Sequence, residues 1–100
     1  MEISVKKVNE ETVIAVKGRL DTNSSPEFEK AIVPILNSDE KSFQIDCSGL
    51  EYISSSGLRL FLMAQKTVIA KKGSLRLTGL KPEIQEIFNI TGFSAIFKIE

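Results

Sequence analysis

Apolar positions near the start of the chain alternate with polar ones. Ile3 and Val5 are spaced by Ser4 and Lys6, and Thr12-Val13-Ile14-Ala15-Val16-Lys17-Gly18 is a β-rich run. Segments 2–8 and 12–18, divided by the turn-forming Asn9-Glu10-Glu11, predict an antiparallel hairpin. A loop from Gly18 to Asn23 follows, and then the period lengthens. Phe28, Ala31, Ile32, Ile35 and Leu36 fall on one face of a helix that starts near Ser25. Ser24-x-x-Glu27 matches a capping box and Pro26 suits the first turn. Pro34 interrupts the backbone bonding and is expected to kink or shorten the last turns.

Period two returns at Phe43-Gln44-Ile45-Asp46-Cys47, with Phe43, Ile45 and Cys47 on one side of a strand. Ser48–Ile53 breaks the alternation and reads as a loop. A second helix is expected from about Ser55 to Lys71-Lys72-Gly73, with Gly73 at the C′ position and the lysines beside the carbonyl end. Leu75 and Leu77 around Arg76 predict a strand. Pro82 opens a third helix with Ile84, Ile87 and Phe88 inward, Gly92 closes it, and Ile96–Ile99 is a last short strand.

The order ββαβαβαβ requires right-handed crossovers. It therefore predicts an α/β fold: a mixed, mainly parallel sheet led by the antiparallel hairpin. Strands that alternate, rather than run continuously apolar, place the helices mainly on one face. With 100 residues and no repeat or linker, residues 1–100 are expected to form one domain.

Composition then removes function classes. Thirteen basic and thirteen acidic residues cancel, which leaves no basic field for direct nucleic-acid binding and no polybasic stretch for an anionic membrane. There is no histidine, so Ser-His-Asp and Cys-His triads and histidine metal sites are excluded. Neither a G-x-S-x-G elbow nor a G-x-x-x-x-G-K-[ST] loop occurs. No catalytic residue, cofactor or metal is expected. The single Cys47 cannot form an internal disulfide, which fits a reducing compartment. Residues 1–7 lack the apolar core of a signal peptide, and no apolar run approaches the ~20 residues of a membrane span. The expectation is a cytoplasmic module, not inserted in a membrane, whose partners are proteins.

The most distinctive local sequence is Ile45-Asp46-Cys47-Ser48-Gly49-Leu50-Glu51-Tyr52-Ile53-Ser54-Ser55-Ser56-Gly57-Leu58-Arg59. It carries a strand into a helix that opens on three serines. Hydroxyls there lie beside unpaired N–H groups, where negative charge is favoured. Two readings of the serines stand: helix cap, or acceptor of a phosphate that would add about −1.5 to −2 charges to the surface. In the helix that follows, Leu58, Phe61, Leu62, Val68 and Ile69 form the core stripe, with Leu60, Met63 and Ala64 off it. A helix apolar beyond one face is either deeply buried or offers a contact surface, and Leu60 and Met63 are the candidates for contact.

Asp46-Cys47-Ser48-Gly49-Leu50 followed by Tyr52 to Arg59 closely resembles the signature of STAS domains, most of all bacterial anti-sigma factor antagonists. Gly18-Arg19-Leu20-Asp21 resembles the family's other recurrent motif, and the order of elements matches from residue 2 to residue 99. The resemblance implies a protein that, unphosphorylated, binds an anti-sigma factor that is also a serine kinase, so that the sigma factor is released. The kinase would phosphorylate the serine two positions before the motif's glycine, here Ser55, and a serine phosphatase would reverse it. The preceding position, often aspartate in the family, is Ser54, a rival hydroxyl. Ser56 matches a position that can be alanine and reads as structural. Asp21 corresponds to a loop acid near the turn that helps position the partner, or is a plain turn residue. Partner-binding positions are then Asp21, Ser54, Ser56, Gly57, Leu60 and Met63. The alternative is a constitutive STAS scaffold subunit of a transporter-associated or signalling complex, whose serines only cap the helix.

Overall fold

The computed structural model describes residues 1–100. A hairpin of β1 (Glu2–Val8) and β2 (Glu11–Leu20) leads into α1 (Ser25–Leu36), β3 (Ser42–Ile53), α2 (Ser55–Ala70), β4 (Ser74–Thr78) and α3 (Pro82–Thr91). A 3-10 turn, Phe93–Ala95, and the short β5 (Lys98–Ile99) complete the chain. The strands lie in sequence order, β1-β2-β3-β4-β5. β1 runs antiparallel to β2, from Glu2 opposite Lys17 to Val8 opposite Glu11. The remaining pairs are parallel, as helical crossovers require.

Alternation decides which face is covered. Ile14 and Val16, Phe43, Ile45 and Cys47, and Leu75 and Leu77 join one buried cluster with the inward side chains of the three helices. Phe61 of α2 sits at its centre, with ring centroids 5.9 Å from Phe28 of α1, 6.0 Å from Phe88 of α3 and 6.5 Å from Phe97. Each such side chain stabilises the fold by about 1.5–3 kcal/mol through burial. The opposite face carries a polar lattice. Arg76 donates to both carboxylate oxygens of Glu11, at 2.7 Å each, and to Gln44 and Glu100 at 3.0 Å.

Several local expectations are corrected. Ser48–Ile53 is strand, not loop, because β3 accommodates two extra residues against β2. Ala15 pairs with Asp46 but Lys17 with Gly49, and Gly18 pairs with Leu50 but Arg19 with Tyr52. Each bulge shifts the inward set by one, so burial falls at Phe43, Ile45, Cys47, Leu50 and Ile53. β2 likewise extends to Leu20, which moves the start of the loop to Asp21.

The helix ends also differ in detail. The capping box before α1 does not form: the Ser24 hydroxyl accepts from the Asp21 N–H at 2.9 Å and donates to the Arg19 carbonyl at 2.7 Å. α1 continues two residues past Pro34. At the end of α2, Lys72 and not Gly73 takes the left-handed position, with φ 63°. The N–H of Lys72 reaches the Ile69 carbonyl and that of Gly73 the Val68 carbonyl, both at 2.9 Å, closing a Schellman turn. The last strand shrinks to Lys98–Ile99, since Phe97 is drawn into the aromatic cluster.

Candidate functional site at the serine turn

The extended ends of β2 and β3 assemble the site. Arg19 lies opposite Tyr52 and Leu20 opposite Ile53, and the Ser54 N–H donates to the Leu20 carbonyl at 2.9 Å. This pairing sets Gly18–Asp21 beside the serine turn, two segments more than thirty residues apart in sequence.

The three serines separate by geometry. Ser54 is the N-cap of α2, in extended conformation with φ −91° and ψ 174°, and its Oγ accepts the Gly57 N–H at 3.2 Å. Ser55, the first helical residue, is exposed, and its hydroxyl bonds to no other group of the protein. Ser56 is half-buried. α1 and α3 carry Glu27 and Glu83 in their first turns, whereas the first turn of α2 has no acidic residue to complement its dipole.

Two expected contact positions are withdrawn. Gly57 is buried because α2 approaches the sheet ends closely: a Cβ there would lie 2.8 Å from Leu20 Cγ and 2.9 Å from Ile53 Cγ1. Its role is packing. Leu60 is completely buried, as is Ala64, while Ile69, expected in the core, is exposed and Leu62 is half-buried. α2 buries a wider face than one stripe, because it packs against both α1 and the sheet. Met63 remains half-exposed and shares a shallow depression with Arg59, Leu62, Lys66 and Thr67.

Asp21 is half-buried and its Oδ1 accepts the N–H groups of Asn23 and Ser24, each at 3.0 Å. The Ser24 N–H, then the Ser24 hydroxyl, the Asn23 N–H and the Arg19 charge hold its carboxyl below the usual range, against the opposing effect of partial burial. Asp21 thus fixes the loop ahead of α1. Its Oδ2 faces Arg19 Nε at 3.7 Å, and the Arg19 guanidinium lies 4.2 Å from the Tyr52 ring centroid. Cys47, midway along β3, is buried, and burial followed by the Asp46 charge pushes its thiol up to about 12. It is a packing residue, protonated at neutral pH. No helix is long and apolar enough to cross a membrane.

This geometry, a helix opened by serines where two parallel strands end, covers the motif from both sides, and residues 3–98 match the family described as "Mlab, STAS domain". The chain belongs to the STAS-domain family. BtrV of Bordetella bronchiseptica is 29% identical, with 99% of this chain and 85% of BtrV aligned. The anti-sigma-B factor antagonist of Bacillus subtilis is 27% identical, with 99% and 90% aligned. Among solved structures, SpoIIAA in its unphosphorylated form superposes with a TM-score of 0.82 at 19% identity, covering 99% of this chain and 88% of that one. The phosphorylated form of SpoIIAA, a Bacillus cell fate determinant, gives 0.76 at 20% identity, covering 99% and 91%.

In this STAS domain the sequence motifs locate the turn, and they contain three residues, Arg19, Tyr52 and Arg59, to which the sequence alone assigned no role. Arg19 and Tyr52 meet only because both bulges in β3 precede their pairing. Arg59 is exposed one turn beyond Ser55, a spacing that could have been read from the sequence.

Proposed function

We propose that this STAS domain is an anti-sigma factor antagonist, switched by phosphorylation of Ser55. Unphosphorylated, it binds an anti-sigma factor that is also a serine kinase, and the sigma factor is released. The observation that carries the reading is the division of labour at the turn: Ser54 is committed to the cap while Ser55 offers an exposed, uncommitted hydroxyl. Relatives that align over the whole chain include anti-sigma-B factor antagonists, and SpoIIAA, of the same fold, has been solved with and without phosphate.

The chemistry belongs to the partners. The Ser55 Oγ attacks the γ-phosphorus of ATP held by the kinase, the bond to the bridging oxygen breaks, ADP leaves, and a kinase base takes the hydroxyl proton. A serine phosphatase returns the hydroxyl by hydrolysis, releasing inorganic phosphate. This chain is regulatory rather than catalytic, acts in the cytoplasm, and uses neither cofactor nor metal. Ser55, Ser56 and Met63 form the contact surface along α2, with Ser54 shaping its start and Asp21 holding the adjacent loop. Phosphate there adds about −1.5 to −2 charges that a partner would have to desolvate, so the complex is lost.

The test combines intact mass after incubation with the kinase and ATP with affinities of two variants for that kinase. One phosphate is expected on the parent and none on Ser55→Ala. Ser55→Ala should bind like the parent, and Ser55→Asp at least about tenfold more weakly, or ~1.4 kcal/mol. Equal affinities with no phosphate added would establish the constitutive scaffold instead.

A further inference from the structure

We infer that Arg59 closes on the phosphate carried by Ser55, so that modification withdraws a cation from the contact surface while adding an anion. The inference rests on Ser55 being the modified serine. Both residues are exposed and lie four apart on α2, where Cβ atoms are about 5–6 Å from each other.

Arg59 is available for this contact. No ion pair or side-chain hydrogen bond engages it, and α2 from Ser55 to Ala70 contains no aspartate or glutamate. The other arginines are occupied: Arg19 lies over Tyr52 and faces Asp21, and Arg76 is bonded to Glu11 and Glu100. At the i,i+4 spacing one serine of three meets a cation; Ser56 stands three before Arg59 but is half-buried. Four residues after Ser54 comes Leu58 and four after Ser56 comes Leu60, both buried. Only Ser55 has a cation there. The planar guanidinium fork suits the phosphate oxygens, and its charge is permanent.

The contact alters what a partner meets. Before modification Arg59 presents one positive charge beside Met63 and Lys66, all on the rim of one depression. Afterwards Arg59 and the phosphate together carry a net charge of about −0.5 to −1. A partner carboxylate paired with Arg59 therefore loses its cation and gains a repulsive neighbour in one event.

The experiment is a phosphorus NMR titration of the full chain with phosphoserine incorporated at position 55 during translation, so that no kinase is involved. A neighbouring cation favours the dianion and lowers the phosphate's second ionisation. Arg59→Gln is expected to raise the titration midpoint by about 0.3 pH unit, from the strength of i,i+4 ion pairs. Arg59→Lys should keep at least half of the effect. Identical midpoints in the parent and Arg59→Gln would overturn the inference, whatever Arg19→Gln does. A failure of the kinase to modify Ser55 would instead strike the proposed function and leave this measurement intact.

Discussion

A hydroxyl at an N-cap accepts from an N–H three residues ahead, whereas the next residue, already helical, projects its side chain outward from the first turn. That difference assigns the Ser54 oxygen to the Gly57 N–H and leaves Ser55 in solvent. Removing the two hydroxyls should therefore have unequal effects. Ser54→Ala is expected to lower stability by about 1 kcal/mol through loss of the cap. Ser55→Ala should stay within about 0.5 kcal/mol of the parent, as exposed substitutions do. Urea denaturation with unchanged slopes would measure both, and an equal or reversed ranking would mean that the cap is misassigned. Position 54 thus belongs to the fold and position 55 to the surface, although both read simply as serine.

At the scale of elements, legibility followed how closely each one kept its period. The leading hairpin, the start of α3 at Pro82 and its end at Gly92 were readable because alternation and breaker residues agree there. β3 was readable only to Cys47, since its two bulges put the next inward residues at Leu50 and Ile53, three apart, which no period-two rule detects. The phase of α2 was ambiguous for a related reason: apolar residues occupy two adjacent faces, and packing on both α1 and the sheet buries Leu60 as fully as Phe61. The site suffered accordingly. Ser55 was legible from its motif, while the Arg19–Tyr52 pair depended on a register that only the bulged strand defines. Long-range side-chain ties on the open face were equally hidden. Arg76 joins the start of β2, through Glu11, to β4 and the chain end at Glu100. The hydrogen bonds from Arg76, reinforced by the Arg76 and Lys98 charges, outweigh burial and hold the Glu11 carboxyl below its usual range. A carboxyl depressed in the folded state stabilises above its unfolded pKa, about 4.3 for glutamate, and that contribution is lost as pH falls through the lower native value. Glu11→Gln should therefore be less stable than the parent at pH 7, with the difference shrinking as pH falls below about 4.3 and through the lower native value. Parallel pH profiles in chemical denaturation would show that the tie contributes nothing to folding.

For the whole molecule, a one-sided sheet divides rigidity from recognition. α2 is held from several directions: Phe61 contacts Phe28, Phe88 and Phe97, and Gly57 lets the helix start press against Leu20 and Ile53. Displacing that helix would open a close-packed core, and even single large-to-small changes in such cores cost about 2–5 kcal/mol. A charge at exposed position 55 supplies no comparable force. On the contrary, an anion at the first helical residue interacts favourably with the dipole, by about 0.3–1 kcal/mol. The switch should therefore act on the surface while the fold stays as it is. Ser55→Asp is predicted to melt at the parent's temperature or up to about 8 °C above it, with unchanged amide protection along α2, even as it loses partner affinity. Calorimetry and hydrogen exchange decide the matter together. A lower melting temperature, with protection lost from the first turns of α2, would mean that charge at the turn loosens the helix, and that partners sense a changed shape rather than a changed charge.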